Sequence, residues 1–221
     1  MEKKHTIFEM WPTHFGQFHY SNHKEIKNDL ISYFKEYMNN KPSKKNNGEN
    51  YKLYESEYNL HTLGNPIFDK FVREFLAGGF LAIAKAANKD SPDIPDEKLS
   101  IGITESWFIN YEKGGLVIPH SHVGGASWSC VYYLQLGKDA TVNNGGTYFE
   151  KPSPIRTTYD YGSLYNKNLY SQFHPQEGAM LVWPSHIMHG AFPYEGTENK
   201  IIISANATIS VLENGKPINS F

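Results

Sequence analysis

The sequence predicts an α+β domain that is mainly β, on three observations. Apolar residues recur every three to four positions early in the chain and every two from Leu99 onward. The chain holds Tyr 15, Phe 13 and Trp 4, an aromatic content that suits pleated, half-buried sheet surfaces. Turn signals such as "KGG", "NNGG" and "QEG" punctuate the second half at short intervals. At 221 residues the length fits one domain with a sizeable core. The expected organisation is a single unit over 1–221, with helical support at 1–95 and a strand-built core at 96–213.

The first helix is expected over residues 22–39, where Ile26, Leu30, Phe34 and Tyr37 mark one face. The second starts at "NPIFDKFVREFLAGGFLAIAKAAN", because Asn65 can cap free amides and Pro66 has the φ of a first turn. Gly78 and Gly79 within it imply a bend or close packing against a sheet. "SPDIPDE" ends the helical pattern. The stretch "LSIGITESWFINYEKGGLVIPHSH" alternates about Lys113-Gly114-Gly115 and reads as a hairpin. Further strands are expected at "WSCVYYLQL", "GTYFE", "NLYSQFH", "AMLVWP" and "KIIISANATISVL". Helices first and strands after suggest helices bracing a mainly antiparallel sandwich or barrel.

A hydrophobic fraction of 39% and a charged fraction of 20% suit a globular protein. The formal net charge of −2 gives no electrostatic footprint for nucleic acid or an anionic membrane. Cys130 is the only cysteine, which excludes an intrachain disulfide and a cysteine-rich zinc cluster. That usage fits a reducing compartment. "MEKKHTIFEM" carries no long apolar run after its lysines, and no segment is long enough to span a bilayer. A cytoplasmic location is therefore expected. Nothing in the sequence fixes an oligomeric state.

The chemistry-bearing stretch is "IPHSHVGGASWSCVYYL", Ile118 to Leu134. Residues i and i+2 of a strand project from one face, so His120 and His122 can converge on one point. Neutral imidazoles suit Fe, Zn, Cu or Ni, and an open site needs a further ligand from another segment. "LVWPSHIMHGAFPY" offers His189, with His186 as a competitor. With His 10 in the chain, spacing alone leaves both a metal role and ordinary structural histidines open.

The order of the surrounding pieces carries more information. "PHSH", "CVYYL", "NNGGTYFEKP", "GAMLVWPSHIMHG" and "ENKIIIS" follow one another over about residues 105–206. In that order they resemble the iron(II)- and 2-oxoglutarate-dependent dioxygenases, particularly the prolyl-hydroxylase-like branch and short phage and marine-bacterial oxygenases. The resemblance implies a double-stranded β-helix core, of jelly-roll or cupin type. It makes His120 and His189 iron ligands and puts His122 where relatives usually have a carboxylate. If His122 does not bind, Glu150 or Glu105 would have to reach in. Three imidazoles preserve the coordination number and raise the site's charge by one. An occupied third position argues against halogenation and favours hydroxylation.

The resemblance also assigns Lys200, eleven positions beyond His189, to the distal carboxylate of 2-oxoglutarate, which is costly to desolvate without a charge-assisted partner. Tyr132 is implied to assist that carboxylate, with Tyr133 facing the other side of the sheet. Ser204 would add a hydroxyl, and Tyr111 would line the same pocket. Trp107, Trp128 and Trp183 read as core or pocket walls. The tyrosine-rich segment 153–172 reads as a lid or substrate wall, with Arg156 in it.

The implied reaction consumes Fe(II)-bound 2-oxoglutarate and O2, releases succinate and CO2, and hydroxylates a small molecule or side chain. Metal occupancy is expected to fall as pH drops well below about 6.5, because imidazole must be unprotonated to bind. Two other readings stay open at this point. One is a three-histidine cupin-type dioxygenase or zinc hydrolase without 2-oxoglutarate, and the other is a non-catalytic jelly-roll binding module. Lys200 separates the first of these from the 2-oxoglutarate reading, and Fe(II) uptake tests the second.

Overall fold

The computed structural model describes residues 12–44, 52–91, 94–152, 161–162 and 168–218. Most of the strand residues lie in two antiparallel sheets packed face to face. The larger has seven strands. Its path runs β1 (Gly16–His19), β8 (Ala179–Pro184), β5 (Trp128–Gln135), β10 (Lys200–Glu213), β3 (Leu99–Tyr111) and β2 (Leu53–Glu55). Strand β11 (Lys216–Pro217) pairs with the end of β10. The smaller sheet orders β4 (Gly115–His120), β9 (His189–Tyr194), β6 (Thr147–Glu150) and β7 (Tyr170–Gln172). From β3 to β10 the chain passes repeatedly between the two sheets, which is the jelly-roll arrangement of a double-stranded β-helix.

Helix α1 (His23–Asn40) buries Ile26, Leu30, Phe34 and Tyr37, the face that periodicity marked. Asn65 caps α2 (Pro66–Phe71), its side chain accepting from the backbone N–H of Ile67 and Phe68. A π-helical turn, Val72–Leu76, continues α2 into α3 (Ala77–Ala87). Gly79 is buried there because a Cβ on it would meet the end of Met180 on β8. Its role is close helix–sheet packing.

These helices cover one face of the large sheet. Phe34 stacks on Phe108 with ring centroids 4.1 Å apart, and Phe71 packs on Tyr132 at 4.7 Å. Burying one such aromatic or aliphatic side chain stabilises the fold by roughly 1.5–3 kcal/mol. The opposite face carries Trp107, Ile109, Tyr111, Val131, Tyr133, Leu181, Trp183 and Ile202, packed against Val117, Phe149 and Ala191 of the small sheet. A cavity lies between the sheets.

The expected hairpin at Lys113-Gly114-Gly115 does not form. The turn passes the chain from the large sheet to the small one, where Gly115 pairs with Tyr194 instead of β3. Local alternation specifies two strands and a turn, but which sheet each joins depends on distant partners. A hairpin does close β10 onto β11 through Asn214 (φ 53) and Gly215 (φ 74). Two positive φ values suit an Asn-Gly turn.

Candidate metal and co-substrate site

His120 ends β4 and pairs across the small sheet with His189, the first residue of β9. His122 lies in the turn just beyond β4, where its N–H donates to the Ser185 carbonyl at 2.9 Å. The three rings meet, with centroids 4.9 Å apart for His120–His122, 4.4 Å for His120–His189 and 5.2 Å for His122–His189. One ligand atom from each lies within 4.8 Å of the others. That geometry can close around one metal ion.

The protonation state suits a metal too. His120 Nδ1 lies 3.0 Å from the Ile118 carbonyl, and His189 Nδ1 lies 2.9 Å from the Ile187 carbonyl. A carbonyl only accepts, so Nδ1–H donates in both rings and Nε2 keeps a free lone pair for the metal. Burial, then the neighbouring His120, holds His122 down at about 4, and the same two causes lead in holding His189 down at about 3. His186 is exposed and takes no part. No carboxylate belongs to the group among the described residues. Glu105 instead accepts from Asn206 Nδ2 at 2.6 Å.

The sign of these shifts sets a pH window. Unfolded histidines take up protons near pH 6.5, whereas the folded rings refuse them until pH 4 or below, so the unfolded state binds more protons between those values. Stability of the metal-free protein is therefore expected to fall as pH drops from about 6.5 towards 4. At His122 and His189, proton competition for the metal begins only at the lower end. Metal occupancy, followed by anaerobic equilibrium dialysis, is expected to fall at a lower pH than three unperturbed histidines would give.

A buried polar chain underlies His122. Ser185, whose carbonyl holds the His122 N–H, shares a hydrogen bond with Ser129 Oγ at 2.9 Å. Ser129 Oγ donates to Asn206 Oδ1 at 2.7 Å, and Asn206 passes the chain to Glu105. Removing one member leaves buried groups unpaired. Asn206→Ala is expected to lower stability by about 1–3 kcal/mol, read from the urea midpoint at unchanged m.

Lys200 is fully buried. Its ammonium donates to the Gly145 carbonyl and sits 4.0 Å from the Tyr111 ring centroid. No ion pair joins it to a carboxylate among the described residues, and desolvation lowers it to about 7. Tyr111, Ser204, Trp107, Trp183 and Thr147 line the cavity with the three histidines. Trp183 adds an orphan: its indole Nε1–H is buried without an acceptor among the described residues. A buried ammonium with two donors to spare and a buried N–H with none used fit a site that receives an anion.

Two expected co-substrate contacts are corrected. Tyr132 packs among the helices, with its hydroxyl 2.7 Å from His23 Nδ1, whereas Tyr133 faces the intersheet core and donates to Thr147 Oγ1 at 2.9 Å. The expected facing of the two tyrosines is reversed. Six of the eight β5 residues, Ser129 to Leu134, are buried, so both faces are covered and no polar alternation betrays the inward one. Ser204 lies on the cavity face, but four residues from Lys200 on an extended strand is about 13 Å. It therefore sits beside Trp107, its pairing partner, at the far end from the ammonium. Arg156, 153–160 and 163–167 lie outside the described residues. Thr147, Tyr133 and Glu55 are cavity-side residues that sequence reasoning missed; the NGGT turn was the one available signal, for Thr147.

Comparison with known proteins adds the class. Residues 105–206 match the family described as "Putative 2OG-Fe(II) oxygenase". That match places the strand-built core of the chain, from β3 into β10, among the Fe(II)- and 2-oxoglutarate-dependent oxygenases. Within it, the chain resembles prolyl-hydroxylase-like members in fold. A prolyl-4-hydroxylase from Pseudomonas putida is similar at TM-score 0.56 and 12% identity, covering 87% of this chain and 91% of that one. HygX from Streptomyces hygroscopicus, solved with nickel, 2-oxoglutarate and hygromycin B, gives TM-score 0.57 at 12% identity, covering 88% and 82%. The α-ketoglutarate-dependent epimerase SnoN from nogalamycin biosynthesis gives 0.59 at 12%, covering 93% and 91%. No curated protein matches the sequence. Among the described residues no helix is long and apolar enough to cross a membrane.

Proposed function

We propose that this oxygenase hydroxylates a small organic molecule, with His120, His122 and His189 holding Fe(II), and Lys200 receiving the distal carboxylate of 2-oxoglutarate. The observation that carries the reading is a buried ammonium, with no ion pair among the described residues, packed on Tyr111 of the intersheet cavity that the three converging imidazoles also line. A three-imidazole site without 2-oxoglutarate has no use for that cation, and the superfamily match speaks against the cupin-type and binding-module readings. When bound, iron and 2-oxoglutarate supply the oxidant, with one atom of O2 going to the substrate C–H bond and the other into succinate as CO2 leaves.

The chain's own residues do the rest. The Nδ1–H bonds of His120 and His189 to Ile118 and Ile187 fix both rings so that Nε2 faces the metal. Lys200 retains one hydrogen bond to Gly145 and offers its remaining N–H donors to a carboxylate. Tyr111 lies under that ammonium, and Tyr133 with Thr147 closes the same end of the cavity. Trp183 offers its unused N–H beside His189, 4.7 Å away between ring centroids. The two sheets exclude bulk water, which strengthens each of these contacts. A small-molecule substrate is supported by the hygromycin B bound in HygX. Hydroxylation is preferred because three side chains fill the face that a halide would need.

The test is anaerobic titration with Fe(II) and then 2-oxoglutarate, watching for the weak visible charge-transfer band of the chelate. The band is expected at one equivalent of each. Tight Fe(II) binding with no band on adding 2-oxoglutarate would leave the cupin-type reading in its place.

A further inference from the structure

Trp183 is 2% exposed, lines the cavity, and keeps its indole Nε1–H buried without an acceptor among the described residues. Its ring stands edge-to-face against Phe149 at 4.9 Å and against His189 at 4.7 Å between centroids. An aromatic face is a far weaker acceptor than a carboxylate, so neither contact uses the donor up. A buried N–H left in that state costs free energy unless a ligand supplies the partner.

The neighbouring residues leave that partner to the ligand. Strand pairing sets Trp183 opposite Ser129, and Ser129 opposite Asn206. Ser129, Ser185 and Asn206 spend their hydrogen bonds on one another and on Glu105. The metal-binding group contains imidazoles and no carboxylate among the described residues, and Nδ1–H of both His120 and His189 is bonded to a backbone carbonyl. Position along the sheet decides which part of a dicarboxylate comes here. Asn206 lies six residues beyond Lys200 on β10, roughly 20 Å along an extended strand. Lys200 packs on Tyr111 towards one end of the inner face, whereas His189 and the Ser185 carbonyl that holds His122 lie at the Trp183 end. A keto acid whose distal carboxylate meets the ammonium therefore turns its chelating carboxylate towards the indole.

We propose that Trp183 is a co-substrate-binding residue whose Nε1–H donates to the metal-chelating carboxylate of 2-oxoglutarate. The proposal deepens the oxygenase reading and rests on it. Lys200 and Trp183 then serve opposite ends of one molecule: the ammonium holds the distal carboxylate, and the indole orients the end that meets iron. Three neutral imidazoles put no anionic ligand on the metal to capture the N–H, so the donor stays available to the keto acid. A hydrogen bond to a charged oxygen in a cavity that excludes water is among the stronger ones a protein makes.

Two keto acids test this on protein loaded anaerobically with Fe(II): 2-oxoglutarate, and pyruvate, which keeps the chelating end and lacks the distal carboxylate. The readout is the affinity of each, taken from the charge-transfer band. Pyruvate is expected to give the band, because its end of the site has a donor of its own. Trp183→Phe should weaken both keto acids by the same factor, roughly tenfold or more, with Fe(II) affinity unchanged. Lys200→Met should weaken 2-oxoglutarate and leave pyruvate where it was. If Trp183→Phe fails to fold, a benzothienyl analogue of tryptophan at position 183 puts sulfur where the N–H stands, keeps the ring's size, and should give the same loss. Unchanged affinity for both keto acids, a loss confined to 2-oxoglutarate, a band with 2-oxoglutarate but none with pyruvate, or a benzothienyl variant that loses Fe(II) as readily as keto acid overturns the assignment. No band with either keto acid removes the oxygenase reading and the assignment with it, whereas a normal band indifferent to the Trp183 variants removes the assignment alone.

Discussion

Lys200→Met is expected to weaken 2-oxoglutarate binding by roughly a hundredfold or more while making the metal-free protein more stable. The two effects have one cause. The ammonium is fully buried and, among the described residues, is bonded to a neutral carbonyl and meets no counter-charge, so the fold bears its desolvation. Leaving a buried carboxylate of the ligand unpaired costs about 3–5 kcal/mol, which is the source of the affinity loss. Met keeps the volume and removes the charge, so stability should rise by roughly 1–3 kcal/mol after the lost Gly145 bond is counted. The pH dependence gives a second check. With Lys200 lowered to about 7 when folded and near 10.5 when unfolded, the unfolded state binds more protons between those values. Stability of the metal-free protein should therefore climb with pH from about 7 to 10, and Lys200→Met should flatten that climb. Calorimetric titration and urea unfolding measure the two halves. A variant that binds 2-oxoglutarate normally would move the carboxylate's partner elsewhere.

The second large effect concerns the third ligand. His189→Ala is expected to lower Fe(II) affinity by more than a hundredfold, beyond the ten- to hundredfold that loss of an outer-shell partner costs. His186→Ala, at an exposed position, should change nothing. His122→Asp is the informative variant. It restores the two-histidine, one-carboxylate set and lowers the site's charge by one, so Fe(II) should bind at least as tightly. With the dianion bound, the sum of charges at the metal falls from zero to −1, and 2-oxoglutarate should bind several-fold more weakly. Metal analysis after anaerobic desalting, with the visible band as the second readout, separates these outcomes. Stoichiometric iron in His122→Ala with unchanged affinity would show that two histidines suffice.

Much of this site was legible because its signals are local. A His-x-His pair at a strand end, a later histidine after an apolar strand, and a lysine at the start of the next strand each survive in one dimension. The helices were equally plain, since α1 is buried on one face only and its period shows. Strand β9 was less so. Its "HGAFPY" is short and carries a proline, and it is held in place by β4 and β6, which come from elsewhere in the chain.

What the sequence by itself determined was composition, period and order: a mainly β domain, helices that brace it, and a succession of motifs that resembles a known oxygenase superfamily. Only the tertiary structure decided which tyrosine faces the cavity, which sheet β4 joins, and that Glu55 borders the same space as His122. The physical reason is the sandwich itself. Its central strand is covered on both sides, so polarity no longer marks the inner face, and pairing between strands far apart in sequence sets what each side chain meets.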